Sequence, residues 1–198
     1  MIQIAKERYP HINFYHIEAK DIEFDNEFDL IFCNSAFQWF APPYKILQNV
    51  FKALKSGGRF AILAPAKQIY SPNFIKAIEE VKKDLITKEV FSHFKNPWFF
   101  LENESEYKDL FEDFGFAVEY ADIKKSVSFH TPKKIYDIFN SGAVAGYLNQ
   151  KFYDISLSKR YIERFKQIVK DSFIKQANDD GLVELIFYRI YLIARKEI

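Results

Sequence analysis

Phe28-Asp29-Leu30-Ile31-Phe32-Cys33-Asn34-Ser35-Ala36-Phe37-Gln38-Trp39 is the stretch on which the fold turns. Its first six residues form an apolar run interrupted only by Asp29, the pattern of a parallel strand buried on both faces. Pro42 and Pro43 suit the first turn of a following helix. Ile46, Leu47, Val50, Phe51 and Leu54 then recur at helical spacing until Gly57-Gly58 ends the run, and residues 59–63 read as the next strand. Strand, helix, glycine pair and strand make a βαβ unit with a right-handed crossover, which implies a doubly wound α/β sheet.

Upstream, Ile2, Ile4 and Ala5 share one side of a short helix that breaks at Pro10, and Ile12, Phe14 and Ile17 predict a short strand before a polar turn over 18–26. Downstream, Phe74, Ile75, Ile78, Val81, Leu85, Ile86 and Val90 describe one long amphipathic helix over 72–94. Ser105 and Glu106 open a helix that turns Tyr107, Leu110, Phe111 and Phe114 inward, ends at Gly115 and leads into a strand over 116–123. Short helices follow between Pro132 and Gln176. Asp179-Asp180-Gly181 supplies the turn before a long strand over 182–194, paired with 117–129. Repeats, linkers and low-complexity tracts are missing, so one domain is expected.

Composition narrows the function classes. The chain has 198 residues, 48% of them apolar, enough for a buried core. A net charge of +1 offers no field for nucleic acid or an anionic membrane surface. The single cysteine, Cys33, and the scattered His11, His16, His93 and His130 suggest neither a disulfide nor a metal site, in keeping with a reducing cytoplasm. The N-terminus carries Lys6, Glu7 and Arg8 in place of an apolar targeting core. All six glycines lie at or beyond Gly57, so this chain cannot build a glycine-rich cofactor turn early in its length.

The ending Asn34-Ser35-Ala36-Phe37-Gln38-Trp39 resembles class I S-adenosylmethionine-dependent methyltransferases, in particular the group that includes trans-aconitate and malonyl-acyl-carrier-protein methyltransferases. There the fourth strand ends in Asn, a small residue, and then Gln-Trp or His-Trp. Residues 54–58, 107–115, 142–148 and 181–195 extend the likeness over essentially the whole chain. The resemblance implies a Rossmann-like fold that is N-terminally incomplete, with the first two strands and their glycine-rich turn missing. It divides the chain into a partial core over 1–66, a helical lid over 67–104, and the rest of the core over 105–198 with a helical insertion at about 131–178.

By the same resemblance, Asn34 and Ser35 border the reactive end of S-adenosylmethionine. Asp21 would bond the adenine amino group with help from the backbone of Ile22, and Gln38 and Trp39 would wall the methyl donor. Asn34, Gln38 and Trp39 are thus the candidate catalytic residues. The plainer alternatives are a helix-capping Asn34, an exposed loop Asp21 and a core Trp39. Cys33 reads as a small buried hydrophobe. Trp98, Phe99 and Phe100 suit an acceptor pocket or lid packing, His130 and Tyr147 fall on the acceptor side of the family's fold, and Arg189 and Arg195 read as structural.

The expected activity is O-methylation of a small or acyl-carrier-bound carboxylate, impaired in a chain that holds S-adenosylmethionine weakly or not at all. Rival readings are a non-catalytic remnant acting as an assembly module and one half of a two-chain enzyme. Nucleic-acid methylation is disfavoured, because Asn34-Ser35-Ala36-Phe37 lacks the Asn/Asp-Pro-Pro-aromatic signature. An apolar strand at 28–33 without its natural neighbour predicts a homodimer or larger species.

Overall fold

The computed structural model describes residues 2–197. In chain order the elements are α1 (Ile2–Arg8), β1 (Phe28–Asn34), α2 (Tyr44–Ala53), β2 (Leu54–Pro65), α3 (Pro72–Lys83) and α4 (Lys88–Ser92). They continue with α5 (Glu104–Glu112), β3 (Phe116–His130), α6 (Pro132–Ser141), α7 (Val144–Tyr147), α8 (Lys159–Lys175) and β4 (Val183–Lys196). The four strands form one mixed sheet in the order β1-β2-β4-β3, with β1 and β2 parallel and the other two pairings antiparallel.

The β1–α2–β2 unit follows from local chemistry. Helix α2 buries Ile46, Leu47, Val50 and Ala53, one stripe at helical spacing. Its chain then enters β2 directly at Leu54, five residues before the strand start that the glycine pair predicts. Gly58 falls inside β2, where a Cβ would stand 2.8 Å from the Lys55 carbonyl oxygen and 3.0 Å from that of Phe28, so only glycine lets the strand pass.

β4 organises the two packed layers. Val183 and Leu185 are buried near its start, whereas Ile190, Leu192 and Ala194 are buried near its end. These sets differ in parity, and successive side chains of a strand point to opposite faces. The first set therefore packs with α3, α6 and α8 on one face, and the second with α2 and α5 on the other. The helices of the first layer cap the long β3–β4 extension, beyond the ends of β1 and β2. Rows nearer β1 stay bare on that face, and Leu30 and Phe32 are 60% and 61% exposed.

Several expectations are corrected. Residues 12–17 form no strand, and Ile12 and Ile17 are exposed, because no partner strand lies beside them among the described residues. β1 is half-bare and pairs only with β2, not buried on both faces. The 72–94 helix is interrupted at 84–87, which leaves Leu85 and Ile86 outward. There the Asp84 carboxylate accepts from the Ile86 and Thr87 amides at 3.0 and 3.2 Å, and the Thr87 hydroxyl donates to the Val81 carbonyl at 2.6 Å. Such side-chain bonds compete with the helical ladder. Between Pro132 and Gln176 the helices are not all short, since α8 runs for 17 residues from a Ser158 cap.

Asp84 also ties the layer together, accepting from Arg164 at 3.0 and 2.6 Å. The Arg164 guanidinium holds the Asp84 carboxyl below its ordinary value. A depressed carboxylate stabilises the fold fully above its unfolded pKa of about 4, and that contribution is lost as pH falls through the lower folded value. Asp84→Asn is expected to melt below the parent at pH 7, with the gap closing as the melts are repeated below pH 4. A constant gap across that range would show that the ion pair contributes nothing.

Candidate functional site

The turn after β1 builds one wall of the site. The Ser35 amide donates to the Leu63 carbonyl at 2.7 Å, which extends the β1–β2 register by one residue. Ser35 itself adopts φ +53°, a left-handed conformation that costs a non-glycine residue about 1 kcal/mol. That bend sends the chain into the 3-10 turn Phe37–Trp39, anchored by the buried Phe37 ring against Phe40, Phe99 and Phe111.

Gln38 is only 8% exposed. Its side-chain amide donates to the Ser35 carbonyl at 3.0 Å, and its own carbonyl accepts from the Phe99 amide at 2.8 Å, joining the strand end to the helical layer. Its Oε1 is buried with no donor. A buried acceptor without a partner costs about 1–3 kcal/mol unless a ligand satisfies it. Trp39, 36% exposed, places its ring 5.6 Å from that of Trp98.

Beyond the carboxyl ends of β1 and β2 these groups border a cavity of about 570 Å³. Ser35, Gln38, Trp39 and Pro65 form the sheet side, Tyr70, Phe74, Trp98 and Phe100 an aromatic wall, and 141–143 with Ala145 the rim. Phe187 and Arg189 enter from β4, where Arg189 pairs in register with Pro65. A second cavity of about 730 Å³ lies in the helical layer and shares Tyr70, Trp98 and Phe100 with the first.

Among the described residues, Arg189 is the sole charged one lining the first cavity. Its guanidinium sits 5.4 Å from the Phe187 ring centre and donates a long bond, 3.4 Å, to the Ser35 hydroxyl, which donates in turn to Asn34 Oδ1 at 3.3 Å. Arg59 and Arg195 pair with Glu119, and Arg164 with Asp84, whereas Arg189 enters no ion pair among the described residues. The only other titratable group on the wall is Tyr70, whose phenol burial pushes up to about 12. Among the described lining residues, none is therefore a base near neutral pH.

The residues singled out by sequence divide into two sets. Ser35, Gln38, Trp39, Trp98 and Phe100 meet at the cavity. Asn34 is exposed, reaches the cavity only through the Ser35 hydroxyl, and caps nothing, since Ala36 precedes the next helical turn without a side-chain bond. Asp21 and Ile22 lie apart from the cavity. Asp21 is exposed on the 3-10 turn Ala19–Asp21, which is tied to α2 by a 2.6 Å bond from the Asn49 amide to the Lys20 carbonyl. Phe99 packs toward the sheet. His130 bonds the Ser128 hydroxyl and does not line the cavity, and Tyr147 is buried with its ring 4.8 Å from that of Trp98. Burial pushes the Cys33 thiol up to about 11, so it stays protonated. Arg189 faces the cavity, where sequence reading made it structural; an arginine amid apolar strand residues was the available signal.

A sulfonium methyl donor fits this wall in part. The unpartnered Gln38 Oε1 suits a ligand with N–H donors, and the Trp39 face suits a cation. Neither Asp21 nor Ile22 lines this cavity, and the chain has no glycine before Gly57.

A family model described as a methyltransferase domain matches residues 1–62. Trans-aconitate 2-methyltransferases of Escherichia coli and Shigella dysenteriae are each 22% identical over 199 aligned positions, covering 99% of this chain and 73% of those proteins. Among solved structures, the YcgJ protein of Bacillus subtilis superposes with a TM-score of 0.57 at 15% identity, covering all of this chain and 79% of that one. The [4+2]-cyclase SpnF gives 0.53 at 13% identity, covering 99% and 61%. One fold thus serves a methyltransferase group and a cyclase, so the reaction must be argued from the site.

Proposed function

Starting from the class I S-adenosylmethionine-dependent methyltransferase fold, to which its architecture and relatives assign this chain, we propose that it serves O-methylation of a carboxylate acceptor. One observation carries this reading: among the described residues, the cavity lining carries one cationic side chain, Arg189, and no side chain that acts as a base near neutral pH. A hydroxyl or ammonium acceptor would have to lose a proton there, and an amine would also face Arg189. A carboxylate arrives ionised at pH 7 and needs no base. When bound, S-adenosylmethionine supplies a methyl group from a sulfonium and departs as a neutral thioether, so a carboxylate oxygen becomes an ester with charge balanced.

In this reading the chain positions its reactants. Ser35 and Gln38 border the reactive end of the donor, Trp39 walls it, and Asn34 orients the Ser35 hydroxyl. Asp21 and Ile22 carry the adenine contact, with little else to hold the nucleoside. The helical segments 67–104 and 131–178 close over the acceptor. A small or acyl-carrier-bound acid is the acceptor class. We further propose that a second copy covers the free edge of β1, the feature that also favours the rival reading of a non-catalytic assembly module.

The test is to incubate the purified chain with millimolar S-adenosylmethionine and a panel of carboxylates, measuring S-adenosylhomocysteine and methyl ester together. Slow turnover that depends on a carboxylate is expected; none with any acceptor would favour the assembly module. Calorimetric titration of the same chain should show weak donor binding. A low-micromolar dissociation constant, equivalent to about 8 kcal/mol, would mean that the described residues build a fuller donor site than the geometry suggests.

A further inference from the structure

We propose that the acceptor is an amphipathic monocarboxylate, its single carboxylate held by Arg189 and its apolar body lodged against the aromatic wall of the cavity. This rests on the carboxylate O-methylation reading and narrows it. A di- or tricarboxylate would bring its further charges against Tyr70, Phe74, Trp98, Phe100 and Phe187, where no second cation stands among the described residues. Each unpaired carboxylate stripped of water there is heavily penalised. Aromatic faces and Ile138 instead reward an alkyl or aryl body.

Arg189 is placed for one anion. It springs from a β4 position in register with Pro65 at the end of β2, so the sheet fixes its backbone. Stacking on Phe187 steadies the guanidinium without neutralising it, and its one side-chain hydrogen bond among the described residues is the long contact to Ser35. Most of its five N–H donors are therefore open to a planar carboxylate, which an arginine fork grips with two parallel bonds. The Ser35 contact sets that carboxylate beside the turn that borders the donor wall. Arg189 is thus a specificity-determining residue, selecting both the charge and the orientation of the acceptor.

The chain's own fluorescence reports occupancy, because its only two tryptophans, Trp39 and Trp98, both line this cavity. The experiment titrates the purified chain, without methyl donor, with octanoate, its neutral counterpart octanamide, and the tricarboxylate tricarballylate. Octanoate is expected to change the emission saturably and to bind about tenfold or more tighter than octanamide, with tricarballylate weaker than either. Arg189→Gln should cut octanoate affinity about tenfold and leave octanamide unchanged, while Arg189→Lys keeps part of the preference. The far-UV circular dichroism melt checks that each variant folds, and the comparison of octanoate with octanamide on the parent chain needs no variant. Equal binding of octanoate and octanamide, tighter binding of tricarballylate, or no saturable response to any probe overturns the proposal. None of these readouts involves methyl transfer, so the acceptor assignment and the methyltransferase reading can fail separately.

Discussion

Gly146→Ala is expected to destabilise the chain by about 1–3 kcal/mol, the usual range for overpacking a filled core, and to change the tryptophan emission. A Cβ at Gly146 would clash with Trp98 Cζ2 and stand 2.7 Å from Cη2, closer than atoms can approach. Escape is blocked on several sides: the indole meets the rings of Tyr147, Trp39 and Phe94 at centroid distances of 4.8, 5.6 and 6.1 Å. Trp98 also lines both cavities, so any accommodating shift changes the shape of at least one. A domain of this size loses about 2–4 °C in Tm per kcal/mol, which a melt followed by circular dichroism resolves. Unchanged Tm and emission would show that Trp98 is not held where the site requires it.

Gly146 shows why the lining of the cavity is only half legible in the sequence. Its run, 142–148, stood out through a family likeness, but its steric duty toward Trp98 depends on a contact across 48 positions of sequence that no local pattern announces. The turn at 35–39 was easier to read, because an apolar strand followed by Asn, a small residue and Gln-Trp is a compact signal. Arg189 was harder. Strand periodicity tells which residues share a face, yet β4 changes its buried parity between Leu185 and Ile190, and so its alternation looked loose in sequence. The looseness has a physical cause, since one strand serves two helical layers on opposite faces of the sheet.

The fold itself was legible wherever local spacing and tertiary packing agree, as in β1, α2 and the antiparallel pairing of β3 with β4. It failed where they part. Residues 12–17 have strand propensity, but a strand exists only through its hydrogen-bonded partner, and none is beside them among the described residues. The interruption of the 72–94 helix was hidden for another reason. Asp84 looks like an ordinary polar-face residue of a helix until Arg164, 80 positions later, gives its carboxylate a reason to turn the chain.

Replacing Leu30 and Phe32 together by lysine is expected to convert an associated chain into a monomer. β1 is hydrogen-bonded on one side only, to β2, so its other edge presents a row of free amides and carbonyls among the described residues. Its outward side chains compound the liability, with Leu30 and Phe32 more than half exposed, and Ile193 and Tyr120 exposed farther along the same sheet. Helix α1 buries none of its residues and does not cover them. An apolar, unpaired edge is a template for another strand, and the edge always at hand is that of a second copy. Two β1 edges related by a twofold axis can pair with each other, satisfying both rows of polar groups and burying both pairs of apolar side chains in one isologous contact. Lysine at positions 30 and 32 sets like charges against one another across that contact while leaving β1's bonds to β2 intact. Sedimentation equilibrium at micromolar concentration should therefore give a dimer or larger species for the parent and a monomer for Leu30→Lys/Phe32→Lys, with matching far-UV spectra. A parent chain that sediments as a monomer and unfolds in one cooperative step would mean that this edge needs no partner.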